Sequence, residues 1–434
     1  MLHPNQLKNF YKSNVDNIQV YCNVQSGFSF RLSNIMQDYI NMKNQLDVEK
    51  IELALKQKYN KLTVDSFIKK LELYKKFIFK DSENLMNGTY NASGFTVLTL
   101  NIIHECNLRC KYCFEEIDFR QDTLKMTKDI AIIAIDKFIK QLHGKQGYII
   151  FTGGEPLLNY RLIQYLVQYI KNTKVNISYM IKTNGTLLTE EKIKFLIENK
   201  FDVQISLDGF RKVNDLNRIY PDGSGTYDKV ISVIDQFVAH NYCEQLFLHG
   251  TVTHDTVPYI SDSFSVISKK YPMLQFDVKL VMDTKNKNRL LSEEEKLYFF
   301  KNQIKYQSNN VWKKPDNSSK KNMCGIGLWH ITVDVNGDIY PCYRLVGNSD
   351  YFMGNIIEGN YTITNNKKLL GIYNMENSNR CKGCYAVNSC TSGCYADKLL
   401  LTDNQCEYGE KIALDRVLKE QFNDINNVAI LPRI

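Results

Sequence analysis

The sequence predicts a multidomain α/β chain centred on a parallel sheet. Three observations carry this. Between Phe95 and Val281 six apolar, β-rich runs alternate with helical stretches. Ahead of them a hairpin pattern is followed by three amphipathic segments. Of twelve cysteines, ten fall into short-spaced groups, three just after the first run and seven beyond residue 320. A length of 434 residues fits two or three domains rather than one.

Residues 1–85 read as a small module of their own. Asn17–Tyr21 and Phe28–Leu32 alternate around Ser26-Gly27, which predicts a hairpin. Ser33 can cap a helix running to about Lys43, and amphipathic segments follow near Asp47–Tyr59 and Val64–Phe77. A hairpin with three short helices suggests a winged-helix-like arrangement. Asn87–Gly94, rich in Asn, Ser and Gly, reads as a linker.

The β-rich runs are Phe95–Ile103, Gly147–Phe151, Asn176–Ile181, Asp202–Ser206, Leu246–Val252 and Leu274–Val281. Helical patterns such as Ile130–Leu142, Tyr160–Lys171 and Lys192–Asn199 fill the gaps. Strands alternating with helices imply a parallel sheet with right-handed crossovers, over about residues 95–310. Function in such folds gathers at the C-terminal ends of the strands. From residue 311 to 434 the repeats stop. Ile331–Val335 and Asp338–Tyr340 flank Asn336-Gly337, a hairpin signal, and a helix is expected over Tyr408–Phe422.

Composition narrows the class. Apolar residues make up 44% and charged residues 24%, as in globular proteins. No stretch approaches the roughly 20 apolar residues of a membrane helix, and the start, Met1–Gln6, lacks a secretory pattern. A cytoplasmic protein with no membrane partner is expected. The formal charge of +8 is spread along the chain and speaks to solubility rather than to nucleic acid. Thiols in a reducing compartment that fall into short-spaced groups read as metal ligands. Cys22 and Cys243 stand alone, with the default role of small buried hydrophobes.

Cys106-x3-Cys110-x2-Cys113 follows the first run. Three thiolates on one tight loop suit one face of a 4Fe–4S cluster and leave one iron free to chelate a small molecule. A zinc site completed by His104 stays open on this motif alone. The triplet, with the aromatic Tyr112 before its last Cys, resembles the hallmark of the radical S-adenosylmethionine (SAM) superfamily. That resemblance implies a partial (β/α)6 barrel in which the reduced cluster cleaves bound SAM to methionine and a 5′-deoxyadenosyl radical. The superfamily pattern continues in order. Thr152-Gly153-Gly154-Glu155-Pro156 closes the second run and resembles the segment that holds the methionine ammonium. Lys182-Thr183-Asn184-Gly185 closes the third, and Ser206-Leu207-Asp208-Gly209 the fourth. By resemblance, Tyr112, Gly153, Gly154, Glu155, Asn184, Ser206, Asp208 and Arg218 contact SAM, Arg218 as a clamp on its carboxylate. The other reading of Arg218 is a surface loop residue.

The last seven cysteines run Cys324-x12-Gly337-x4-Cys342, then Cys381-x2-Cys384-x5-Cys390-x3-Cys394, then Cys406. This spacing resembles the SPASM domain, which carries two auxiliary 4Fe–4S clusters, for three clusters in all. The resemblance implies that Cys381, Cys384, Cys390 and Cys406 hold one and Cys324, Cys342 and Cys394 the other. A two-zinc module completed by His330 is the alternative.

Sulfatase-maturing relatives carry an extra Cys shortly before the first hairpin Cys and an Asp after the second. Here residues 316–323 contain no Cys, and Tyr343 follows Cys342, which points away from that activity. Asn336–Gly347, Met353–Ile356, Asp208–Asp215 with Arg218, and Gly223–Tyr227 resemble a branch that builds thioether crosslinks in ribosomal peptides, those of ranthipeptides and six-cysteines-in-forty-five peptides. That resemblance implies a precursor peptide as substrate, bound through its leader by the N-terminal module, and a reducing partner such as flavodoxin or ferredoxin. Carbon–carbon or carbon–oxygen crosslinking, or side-chain oxidation, is the alternative within enzymes. The alternative outside enzymes is a DNA-binding redox sensor. Against it, the first 85 residues lack a dense Lys/Arg recognition helix.

Overall fold

The structure is a computed structural model. It describes residues 10–15, 18–23, 29–31, 34–43, 46–78, 95–113, 124–281, 287–292, 294–296, 298–299, 325–327, 329–359 and 396, with the backbone alone over the strands of 10–31, over 70–78 and at 36, 37, 40, 41, 43, 48 and 287. The expected linker 87–94, the helix 408–422 and Cys324, Cys381, Cys384, Cys390, Cys394 and Cys406 lie outside the described residues.

The N-terminal part has one strand more than the expected hairpin. β1 (Phe10–Val15), β2 (Ile18–Asn23) and β3 (Ser29–Arg31) form an antiparallel sheet in that order. The β2–β3 register pairs Val20 with Arg31 and Cys22 with Ser29. Three helices follow: α1 (Asn34–Lys43), α2 (Val48–Lys58) and α3 (Lys61–Ile78). Their apolar stripes bury Ile35, Tyr39, Ile51, Leu55, Val64 and Phe67, with Tyr39 edge-on to Phe67 at 5.6 Å.

The six expected runs are six parallel strands: β4 (Val97–Asn101), β5 (Gly147–Thr152), β6 (Ile177–Thr183), β7 (Asp202–Ser206), β8 (Leu246–Val252) and β9 (Gln275–Leu280). They lie side by side in chain order. Each crossover therefore steps to the next neighbour, the winding of a barrel rather than of a sheet that reverses. The crossovers carry α4 (Lys128–Leu142), α5 (Tyr160–Thr173), α6 (Glu190–Glu198), the pair α7 (Arg211–Asn217) and α8 (Tyr227–Ala239), and α9 (Ile260–Lys270). Thr127 and Thr189 cap α4 and α6 by accepting from Ile130 N and Lys192 N.

Alternate strand residues bury under the helices: Leu98 and Leu100, Ile149 and Phe151, Val203 and Ile205, Leu246 and Leu248. The residues between them face the opposite side, and many are polar: Thr99, Asn101, Lys182, Gln204, Ser206, His249, Thr251 and Asp277. A sheet covered by helices on one face and polar on the other leaves that second face for chemistry.

The hairpin beyond residue 311 joins this same sheet. β10 (His330–Val333) pairs in parallel with β4, His330 opposite Val97 and Val333 opposite Leu100. β11 (Asp338–Tyr340) and β12 (Gly354–Asn355) continue antiparallel, which makes a nine-stranded sheet ordered β12-β11-β10-β4-β5-β6-β7-β8-β9. Gly337 supplies the positive φ, +91°, of the β10–β11 turn.

Candidate active site

The cysteine loop starts where β4 ends and is tied down on both sides. Gly154 N donates to Ile103 O at 2.8 Å and Glu155 N to Glu105 O at 2.9 Å. Across the loop, Arg109 N donates to Ile219 O at 2.8 Å and Lys111 N to Asn217 O at 3.1 Å. The glycines make the first seam possible. A Cβ on Gly153, whose φ is +136°, would lie 2.2 Å from Ile103 O, and one on Gly154 2.3 Å from Glu105 O. Their close approach is thus to the cysteine loop itself.

Cys106, Cys110 and Cys113 are half-buried thiols rather than halves of a disulfide. Burial pushes the Cys110 thiol up to about 12, against the pull of the Arg218 guanidinium, and raises Cys106 well above the ordinary thiol range. Cys113 N donates to Cys110 O at 3.0 Å, which keeps the loop tight. Yet among the described residues no three His, Cys, Asp or Glu side chains converge on one point as they would around a single ion. A cubane accepts each thiolate on a different iron, and three thiolates on one tight loop fit a 4Fe–4S cluster. His104 is turned elsewhere: its Nε2 stands 2.8 Å from Asp334 Oδ1. His330, the other imidazole considered as a metal ligand, has its Nε2 2.7 Å from Thr99 Oγ1.

Glu155 is fully buried and braces the next strand end. Its Oε1 accepts from Thr183 Oγ1 at 2.7 Å and Leu157 N at 3.1 Å, and its Oε2 from Asn184 N at 2.8 Å. Burial nevertheless raises its carboxyl to about 7, because three donors only partly offset the lost hydration. Asn184 turns back to the loop, its Nδ2 donating to Asn107 Oδ1 at 2.9 Å and lying 3.8 Å from Cys106 Sγ.

Asp208, Tyr112 and Arg218 form one buried group. Tyr112 Oη donates to Asp208 Oδ2 at 2.6 Å; Arg218 Nε and Thr251 N donate to Oδ1 at 2.9 and 2.8 Å. The guanidinium lies 5.4 Å over the Tyr112 ring. Arg218 is therefore no surface residue: its side chain is 8% exposed. Ser206 is on the polar face of β7, level with His249 of β8, which is level with Asp277 of β9. His249 Nδ1 is 3.8 Å from Asp277 Oδ2. Burial holds the His249 imidazole below its ordinary value, against the pull of the Asp277 carboxylate. Lys182 of β6 lies 4.5 Å over the ring of Tyr343, which brings the residue after Cys342 against the same face.

His249, Asp277 and Asp334 are polar-face residues that motif spacing does not single out. Their signal is one charged or imidazole side chain inside an otherwise apolar strand run. Cys342 packs against a small cluster of Ile326, Leu345, Tyr351 and Ala396.

The family model described as the radical SAM superfamily matches residues 100–262, the span from β4 into α9 that carries the cysteine loop, Glu155, Asn184, Ser206, Asp208 and Arg218. An uncharacterized protein of Methanocaldococcus jannaschii is 30% identical over 315 residues, 68% of this chain and 96% of that protein. This chain belongs to the radical SAM superfamily. Membership brings SAM and a 4Fe–4S cluster, for which the Cys106 loop supplies a fitting donor set. Two further relatives of this radical SAM chain have named activities. The radical SAM cyclopropyl synthase TigE of Paramaledivibacter caminithermalis is 24% identical over 78% of this chain and 77% of its own. A cysteine-type anaerobic sulfatase-maturating enzyme of Clostridium novyi is 25% identical over 68% and 86%. The fold matches native anSMEcpe with bound AdoMet, with TM-score 0.63 and 22% identity over 77% of this chain and 98% of that one. It also matches Streptococcus suis SuiB bound to precursor peptide SuiA, with TM-score 0.52 and 14% identity over 93% and 98%.

Proposed function

We propose that this chain is a radical SAM maturase that installs thioether crosslinks in a ribosomally made, Cys-containing precursor peptide. The observation that carries a peptide substrate is the set of relatives: named ones act on sulfatases, and the fold extends over 93% of the chain to a protein bound to its precursor peptide. Thioether formation rests on the resemblance of 336–347 and of the segments around Asp208 and Gly223, and on Tyr343 standing where sulfatase maturases carry Asp. Residues 1–85 would hold the leader by strand addition to their antiparallel sheet. A flavodoxin or ferredoxin would supply the electron.

When bound, the cluster and SAM supply a 5′-deoxyadenosyl radical able to take a hydrogen atom from the substrate. Cys106, Cys110 and Cys113 would hold the cluster. Gly153, Gly154, Glu155, Asn184, Ser206, Asp208 and Arg218 would surround SAM, with Tyr112 orienting Asp208 through its hydroxyl. Glu155 keeps the β5 and β6 ends together, and Asp208 ties Arg218 and Tyr112 into one group beside the loop. Two auxiliary clusters would lie beyond residue 320. Support for Cys324, Cys342 and Cys394 as one ligand set comes from the cluster around Cys342. It gathers Ile326 and Ala396, each two residues from another of those cysteines.

Mass spectrometry of a co-expressed Cys-rich peptide tests the reading. Each thioether removes two hydrogens and one alkylatable thiol. The same mass loss with every thiol still free would reject it in favour of carbon–carbon bonding, the reading favoured by the cyclopropyl synthase among the relatives.

A further inference from the structure

A buried carboxylate on the C-terminal hairpin reaches into the start of the cysteine loop. Asp334 Oδ1 accepts from Asn101 Nδ2 at 2.7 Å and stands 2.8 Å from His104 Nε2. Asn101 is the last residue of β4, and His104 is two residues before Cys106. Asp334 and Asn101 are 5% and 1% exposed.

Each member is held from behind. Asp334 N donates to Asp338 O at 2.8 Å, and its carbonyl accepts from Gly337 N at 2.9 Å, so the β10–β11 turn fixes the carboxylate. His104 N donates to Leu124 O at 3.0 Å. Asn101 Oδ1 lies 2.6 Å from where a Cβ on Gly153 would be, and it finds no hydrogen-bond partner among the described residues. Asn101 thus spends a buried polar atom to present its amide to Asp334, at a cost that strand pairing alone does not require. Apolar side chains would join β10 to β4 as firmly, since a buried carboxylate gives up its hydration. What a carboxylate adds is direction: one oxygen fixed by one element meets two side chains of another.

We propose that Asp334 is a positioning residue for the radical site: through His104 and Asn101 it sets how the chain enters the Cys106 loop. The hairpin that carries Cys342 and the loop that carries Cys106 are then mechanically coupled. The inference rests on the Cys106–Cys113 ligand assignment and is independent of thioether chemistry.

The test uses the reconstituted, SAM-bound holoenzyme and reads the paramagnetic resonance of the reduced cluster together with 5′-deoxyadenosine formation. Asp334→Ala should retain its iron, alter the resonance and slow 5′-deoxyadenosine formation roughly 10–100-fold, the range for partners that orient metal ligands. Asp334→Asn should rescue both, because an amide oxygen can accept from Asn101 and His104 at the same place. An iron-loaded Ala variant with unaltered resonance and rate overturns the proposal, as does an Asn variant as impaired as Ala. If Asp334→Ala fails to fold, His104→Ala, which keeps the Asp334–Asn101 bond, should alter the resonance; no change there overturns it. His330→Leu removes the neighbouring Thr99 contact on the same hairpin and should leave the resonance alone; an equal change also overturns the proposal. A Cys106→Ala variant that still cleaves SAM would sink the ligand assignment instead, a separate failure.

Discussion

Glu155 has a structural task beside the one its charge suggests. The sequence suggests a carboxylate offered to a ligand's ammonium. In the fold its two oxygens also accept from Thr183, Asn184 and Leu157. A glutamine there must turn an NH2 against at least one of those donors. Glu155→Gln should therefore destabilise the apo chain by about 1–3 kcal/mol and abolish cluster-dependent SAM cleavage. A Gln variant with wild-type unfolding free energy would contradict this. The carboxyl also titrates from about 7 when folded, against an ordinary value of 4.5. The folded state holds the proton more tightly, so this contribution is complete below about pH 4.5 and is lost as pH rises through about 7. Its size is on the order of 3 kcal/mol. Denaturant unfolding at pH 5 and pH 8 should show the wild type losing more stability over that interval than the Gln variant. Parallel curves would refute the assignment.

At the level of elements, the seam between the glycine segment and the cysteine loop decides whether the loop can close. Gly154→Ala puts a Cβ about 2.3 Å from a backbone oxygen that cannot move without moving Cys106. Reconstituted Gly154→Ala should bind little iron at the SAM-cleaving site and make no 5′-deoxyadenosine; wild-type iron content with normal turnover would disprove the seam's role. The two glycines were legible as a need for close approach, but sequence could not say to what. Strand existence was legible because Leu98, Phe151, Ile205 and Leu248 fall in runs dense enough to stand out. His249 and Asp277 were passed over, since a polar residue in a strand ordinarily marks the solvent face, whereas here that face is the site. β1 was missed because Lys12, Ser13 and Asn14 interrupt its pattern. The β10–β4 pairing was out of reach of any local pattern, because its partners are more than 230 residues apart.

On the scale of the whole molecule, the proposed leader binding and the radical chemistry would fall on different stretches of chain. Deleting residues 1–85 should spare SAM cleavage in the absence of peptide and greatly weaken processing of a leader-bearing peptide. Equal processing rates with and without these residues would rule out leader recognition. Iron analysis of the anaerobically reconstituted chain should give about twelve irons, four for each of three clusters. A stable content of about four would remove the auxiliary clusters.

The place of β10 beside β4 also bears on how the protein is made. Asn101 and Asp334 are 233 positions apart, so a ribosome adding roughly 5–20 residues per second finishes β10 on the order of 10–50 s after β4 emerges. For that interval β4 shows an unpaired backbone edge, flanked by Leu98 and Leu100, to every other nascent chain nearby. A chain stopped at residue 324 never covers that edge. It should sediment as aggregates at concentrations where the full chain stays dispersed, and a dispersed truncated monomer would show that something else guards β4. Late closure thus makes yield in the cell a matter of synthesis rate and holding chaperones, and slower expression at low temperature should favour dispersed full-length protein.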